Sequence, residues 1–229
     1  MSKEHEMIET AINRCKNIQE IILHWASDNL SDFPWRKNRT PYKVIVAEFL
    51  LKRTTATAVE RVYEDFIEKY PNIESLAKAD VKELENFLKT IGYHKLRSNA
   101  LKETVEFIKN NLNGKIPENM EGLMLIPNIG SYTAGAILSL GYGQKAPMVD
   151  SNVERIYMRI FKKSLPKKAV MRGIYQVAEI LVPDTKHEIF NSALLDLGRL
   201  ICTYREPYCN RCALKKLCDT AILGNRKIS

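Results

Sequence analysis

No run of apolar residues in this chain approaches the roughly 18 that a membrane-spanning helix needs, so no span is expected. The opening stretch, "MSKEHEMIETAINRCKN", carries charge throughout and has no continuous apolar core, so a secretory signal is not expected either. Alternating apolar and polar segments of the kind that form strands are missing, no internal repeat recurs, and no segment is low-complexity. Histidine is scarce, with 4 residues. His24, His94 and His187 lack metal-ligand spacing, and each reads as a surface or satisfied interior group. Cysteine is scarce outside one place. Of 5 in the chain, all but Cys15 fall between Cys202 and Cys218, and Cys15 lies in an amphipathic pattern that suits a buried apolar thiol.

What remains is the pattern of a folded, helical, intracellular protein. Hydrophobic residues make up 45% and charged residues 27% of 229 residues, enough for a sizeable core in one domain or two small ones. Apolar residues return at three- and four-residue steps in "MIETAINRCKNIQEIILHWASDNL", "YKVIVAEFLLKRT", "TAVERVYEDFIEKY", "VKELENFLKTI", "LRSNALKETVEFIKNNL", "SYTAGAILSLGYG", "GIYQVAEILV" and "IFNSALLDLGRLICTY". Breakers such as "FPWRKNRTPY", "NGKIPEN", "IPNIG", "SLP" and "VPD" separate them. The expected class is all-α, and a composition shift near residue 145 points to two helical lobes. The net charge of +8 lies wholly on the C-terminal side: residues 1–150 hold 20 Lys/Arg and 20 Asp/Glu, whereas residues 151–229 hold 15 and 7. Such one-sided charge fits a polyanionic partner, most simply nucleic acid, or a solvated basic surface.

The stretch "CTYREPYCNRCALKKLC" spaces its thiols C-x6-C-x2-C-x5-C, too short for disulfides that brace a large domain. In a reducing compartment clustered cysteines bind metal, and four thiolates suit zinc or an iron–sulfur cluster. Spacing alone does not choose between them.

Three other stretches could carry chemistry. In "LIPNIGSYTAGAILSL" a Pro and a Gly three residues apart form a tight hairpin before a helix, either an ordinary helix–helix turn or a place where backbone N–H groups meet a phosphate. Thr133, Ala134, Gly135 and Ala136 are small enough for close helix packing. In "VIVAEFLL", Glu48 stands among apolar neighbours and points either to water or into a pocket, where desolvation would suit it to hold or shuttle a proton. Lys52 and Arg53 follow at the helix end, where the helix dipole favours cations. In "PMVDSNVERI", the S-x-x-E pattern from Ser151 to Glu154 reads as a capping box. Ser151 would then cap the helix and leave Asp150 outside it, free to project. Two such carboxylates can serve glycosidic bond cleavage as acid/base and cation stabiliser, among other roles. Trp35 reads as an anchor for its loop.

Taken together, these segments resemble the helix-hairpin-helix DNA glycosylases that carry a [4Fe-4S] cluster, the group of endonuclease III, MutY and the archaeal thymine mismatch glycosylases. The likeness runs from about residue 30 to residue 220. "FPWRKNRTPYKVIVAEFLLKRTTA" is similar to that family's PW…TPY…E-x-x-L-x-x-T stretch and "IGYHKLRSNAL" to its G-[LY]-x-x-[KR] turn. "IPNIGSYTAGA" is similar to its hairpin, "VDSNVERI" to its [VL]-D-x-N-V-x-R motif, and the cysteine spacing to its cluster motif.

The resemblance implies a six-helix barrel lobe over 31–144 containing the hairpin, and a second lobe from 1–30 and 145–229 carrying the cluster loop, with the DNA and active-site cleft between them. It implies that Cys202, Cys209, Cys212 and Cys218 hold a structural [4Fe-4S] cluster in a loop that presents Arg and Lys to DNA. Glu48, Tyr132, Asp150 and Asn152 become the catalytic set, and Lys52, Arg53, Arg97, Asn128, Ile129, Gly130 and Ser131 the DNA contacts. Asn128 stands where glycine is usual, and asparagine tolerates left-handed backbone better than most residues. Tyr132 stands where bifunctional relatives carry lysine. Without that amine no Schiff base forms at this position, which implies a monofunctional glycosylase.

The expected partner is double-stranded DNA with a mismatched or damaged base, bound by a monomeric, cytoplasmic, nucleoid-associated enzyme. MutY usually carries a further C-terminal domain and Gln-Gln where this chain has Lys-Arg, and the chain ends eleven residues after Cys218. Removal of thymine or uracil opposite guanine is therefore expected. Adenine removal from A·G or A·8-oxoguanine is the alternative, and a non-catalytic DNA-binding homologue or a zinc-binding helical module the remaining ones.

Overall fold

The computed structural model describes residues 3–164 and 170–224. The Leu165–Lys168 part of the basic "FKKSLPKK" run, most of the "SLP" breaker and the Arg226–Lys227 pair lie outside the described residues. Among the described residues there are helices and turns and no strands, so the chain is all-α, as its periodicity requires. It divides into two compact units, Met1–Ser31 with Lys145–Ser229, and Asp32–Gln144.

The first unit is built on α1 (Lys3–Asn29), α9 (Ser151–Ile160), α10 (Val170–Leu181), α11 (His187–Leu200) and the short α12 (Asp219–Ile222). Met7, Ala11, Ile18, Ile22 and Ala26 recur at four- and seven-residue steps along α1 and form one buried stripe. That stripe shares a core with Val153 and Tyr157 of α9, Val177 and Leu181 of α10, and Leu194 and Leu197 of α11. Leu214 and Cys218 of the cysteine stretch belong to the same core. Cys15 is half-buried rather than fully buried, and its thiol donates to the Ile180 carbonyl at 3.2 Å.

The second unit holds α2 (Pro41–Leu51), α3 (Ala56–Lys69), α4 (Ile73–Lys78), α5 (Val81–Leu88), α6 (His94–Asn111), α7 (Met120–Met124) and α8 (Ser131–Ala136). Residues 44–50 are buried without a break, because α2 is apolar on all sides and runs through the middle of its unit. Thr40 caps it, its hydroxyl accepting from Lys43 N at 3.2 Å, and Pro41 occupies the first turn. Helices α4 and α7 are too short for apolar periodicity to reveal. Their signals are local: Asn72 and Ser75 form a reciprocal capping box, and Asn119 accepts from Gly122 N at 2.8 Å. The segment "SYTAGAILSLGYG" is not one regular helix, since α8 passes into a π-helical turn at Ile137–Gly141. Trp35 stacks on Phe33 with centroids 4.5 Å apart and meets the edge of Tyr63 at 5.8 Å, which fixes its loop.

Candidate active site

In the second unit, Glu48 lies on α2 and is only 8% exposed. Four residues on, Lys52 ends the helix. Lys52 keeps part of its surface exposed, but its ammonium folds back to lie 4.0 Å from the centre of the Phe49 ring and donates to the Asn128 carbonyl at 3.0 Å. Burial of the ammonium lowers the Lys52 pKa, with the nearby Glu48 carboxylate opposing that shift and the Arg97 guanidinium adding to it. Arg53 is exposed, in left-handed backbone at φ 54, and lies over the Tyr93 ring at 5.6 Å.

Arg97 departs from its expected place on DNA. It is 5% exposed, and its guanidinium donates to the Phe49 carbonyl, to Leu50 O at 2.8 Å, to Lys52 O at 2.9 Å and to Gly92 O at 3.3 Å. The last turn of α2 exposes carbonyls without intrahelical partners, and a fork of donors from α6 satisfies them. Arg97 therefore anchors the end of the helix that carries Glu48. Arg97→Met keeps the stem and deletes the donors; it is expected to lower unfolding free energy by about 2–4 kcal/mol in urea titrations.

The hairpin precedes α8. Asn128 adopts left-handed backbone at φ 66, as expected of asparagine in a glycine's place, and its side chain donates to Glu103 at 2.9 Å. Ile129 does not face outward: it is 5% exposed, and its N–H closes the turn on Ile126 O at 3.2 Å. Its apolar side chain pins the hairpin from below. Gly130 caps α8 in extended backbone, and a methyl group added there would meet nothing within 4 Å. The fold itself therefore has no need of glycine at 130. Ser131 and Tyr132 begin α8 and are half-buried, while Thr133, Ala134, Gly135 and Ala136 are buried, as close packing of small residues requires.

In the first unit, Asp150 corrects the sequence reading. Asp150 itself, not Ser151, caps α9, with one carboxylate oxygen accepting from Asn152 N at 2.9 Å and Val153 N at 2.8 Å. The capping frame starts one residue earlier than S-x-x-E suggested, because residue 150 is the last with extended backbone and Ser151 is already helical and exposed. The other oxygen accepts from the Asn152 side chain at 2.7 Å. Two backbone donors and one side-chain donor thus fix the carboxylate in one orientation at the positive end of a helix.

The same helix holds the cysteine stretch. Arg155 donates to Cys202 O at 2.8 Å, and Arg159 to Cys202 Sγ at 3.2 Å, Thr203 O at 2.7 Å and Tyr204 O at 2.9 Å. These two arginines were not singled out by sequence reasoning. Their four-residue spacing puts both on one face of α9, an unusual place for two cations on a helix rich in apolar residues. Arg205, Arg211, Lys215 and Lys216 are exposed along the stretch. Burial pushes the Cys212 thiol up to about 11, with Cys202, Cys218 and Cys209 adding to the rise. Among the described residues no three His, Cys, Asp or Glu side chains gather tightly enough to chelate a single metal ion.

Residues 46–179 match the HhH-GPD superfamily of base excision DNA repair proteins. The chain belongs to that superfamily. A thymine/uracil-DNA glycosylase of Methanothermobacter thermautotrophicus is 36% identical over 203 residues, covering 88% of this chain and 91% of the relative. An adenine DNA glycosylase of Buchnera aphidicola is 34% identical over 87% of this chain, which spans 58% of that relative's length. The solved structure of a thermostable thymine-DNA glycosylase superposes with a TM-score of 0.85 at 34% identity, covering 92% of this chain and 98% of the other. The HhH-GPD match takes in Glu48, the hairpin with Tyr132, and the Asp150 cap, and it ends before the cysteine stretch.

Proposed function

We propose that this HhH-GPD protein is a monofunctional DNA glycosylase of base excision repair that hydrolyses the N-glycosidic bond of thymine or uracil opposite guanine. The observation that carries the chemistry is the Asp150 carboxylate, clamped by Asn152 N, Val153 N and the Asn152 amide. Breaking the bond between a base and deoxyribose builds positive charge on the sugar, and a carboxylate already oriented stabilises that charge without reorganising. The base must first leave the stack to be reached. Glu48, buried on α2, handles a proton on the departing base or the attacking water. Tyr132 offers a hydroxyl and no amine, so it positions the sugar without forming an imine. The bare backbone at Gly130 leaves room for a phosphate to approach the hairpin, and the exposed cations of the cysteine stretch add contacts to the DNA backbone. A monomer acting on mismatched duplex is sufficient for each of these steps.

The base assignment rests on relatedness over nearly the whole of two thymine-acting proteins. A second reading, adenine removal, draws on the adenine glycosylase that is 34% identical. A panel of duplexes carrying G·T, G·U, A·G and A·8-oxoguanine, assayed for base release before and after alkali, separates the two. Release confined to the adenine duplexes would overturn the thymine/uracil assignment.

Cys202, Cys209, Cys212 and Cys218 are proposed to hold a [4Fe-4S] cluster. Four thiols at C-x6-C-x2-C-x5-C spacing, none of them exposed and one already accepting from the Arg159 guanidinium, suit a cluster in which each thiolate takes its own iron. Bound there, the cluster would act as a structural cross-link of the stretch. Arg159 would donate to the Cys202 sulfur, and Arg155 and Arg159 would hold the backbone from beneath. The purified protein is expected to be brown with broad absorption at roughly 400 nm, and Cys218→Ser to lose that colour and iron. A colourless, iron-free and active preparation would overturn the assignment.

A further inference from the structure

We infer that Gly198 is a positioning residue for the Asp150 carboxylate, acting through Asn152. The inference rests on the proposed role of Asp150. Gly198 lies buried on α11 where that helix meets α9. A Cβ at position 198 would stand 2.6 Å from the Cβ and 3.4 Å from the Cγ of Asn152. The backbone at 198 is helical and needs no glycine, and glycine weakens a helix interior relative to alanine. What glycine supplies here is room for Asn152.

Its carbonyl supplies direction. Arg155 Nη2 donates both to Gly198 O at 2.9 Å and to the Asn152 side-chain oxygen at 2.8 Å. An asparagine amide can present either end to a neighbour. With its oxygen held by a guanidinium, the amide must turn its NH2 toward Asp150, where it donates at 2.7 Å. Gly198, Arg155 and Asn152 thus form a chain of contacts that sets the rotation of the carboxylate. A methyl group at 198 displaces the Asn152 side chain, releases that hydrogen bond and lets the carboxylate turn from the orientation in which it faces the sugar.

The test compares wild type, Gly198→Ala, Asn152→Gly and the double variant in single-turnover base release, DNA binding and thermal denaturation. Gly198→Ala is expected to slow base release about 10- to 100-fold, as misplacement of a catalytic group does, with the Kd for DNA changed less than about 2-fold. In the Asn152→Gly background, where no side chain meets the new methyl, the same substitution should change the rate by less than about 2-fold. Equal losses in both backgrounds, or no loss in Gly198→Ala, would overturn the inference. Should Gly198→Ala not fold, folding of the double variant supports the contact with Asn152, and failure of both refutes it. If wild type releases no base from any duplex, the functional reading fails separately and the thermal midpoints decide. A drop seen only when Asn152 is present supports the positioning contact, and an equal drop in both backgrounds refutes it.

Discussion

Asp150→Asn is expected to slow single-turnover base release by about 100- to 1,000-fold while DNA affinity and the thermal midpoint stay near wild type. Asparagine is as good a helix cap as aspartate, so its side-chain oxygen can still accept from Asn152 N and Val153 N, the two bonds that start α9. What is lost is the negative charge, together with the oxygen that accepts from the Asn152 side chain, since an NH2 takes its place. Asp150→Ala removes cap and charge together, and should in addition lower stability by about 1 kcal/mol. Comparing the two variants separates the structural work of this carboxylate from its chemical work. A protein that merely binds DNA has no base release to lose, and Asp150→Asn with an undiminished rate would remove the carboxylate from the mechanism.

Tyr132→Lys is expected to add strand cleavage that wild type lacks. Residue 132 is half-buried in the first turn of α8, where desolvation and the positive end of a helix both favour the neutral amine over the ammonium. A neutral amine beside the sugar can attack C1′ and form an imine, from which β-elimination breaks the strand. Wild type should leave strands intact until alkali is added, whereas the variant should nick them unaided and be trapped on DNA by borohydride. Efficient trapping of wild type would mean that another amine is the nucleophile and that the enzyme is not monofunctional. Base release without trapping in the variant would mean that residue 132 does not face the sugar.

The helices were legible because their signal is local. An apolar residue every three or four positions suffices to place α1, α3, α5, α6, α10 and α11, and no strand competes among the described residues. Helices α4 and α7 escaped because six and five residues hold too few turns for a period to show. The π-helical turn after α8 escaped because it depends on i→i+5 bonds such as Tyr142 N to Ile137 O at 3.1 Å, which no composition rule marks.

The sequence by itself determined that the chain is helical, that four thiols sit at a spacing suited to metal chemistry, and that Glu48, Tyr132 and Asp150 stand in stretches that resemble glycosylase motifs. Each of these is written in residue type and in spacing along a short stretch. Tertiary structure alone decided which charged groups face inward and what they touch. Arg97 meets carbonyls more than forty residues away, Arg159 meets a cysteine forty-three residues on, and Gly198 makes room for Asn152 on another helix. Even the shift of the α9 cap from Ser151 to Asp150 turns on a single residue's backbone angle, extended at Asp150 with ψ −178. Such contacts join elements that are neighbours in space but not in sequence, and their energies depend on a geometry that exists only once the helices have packed.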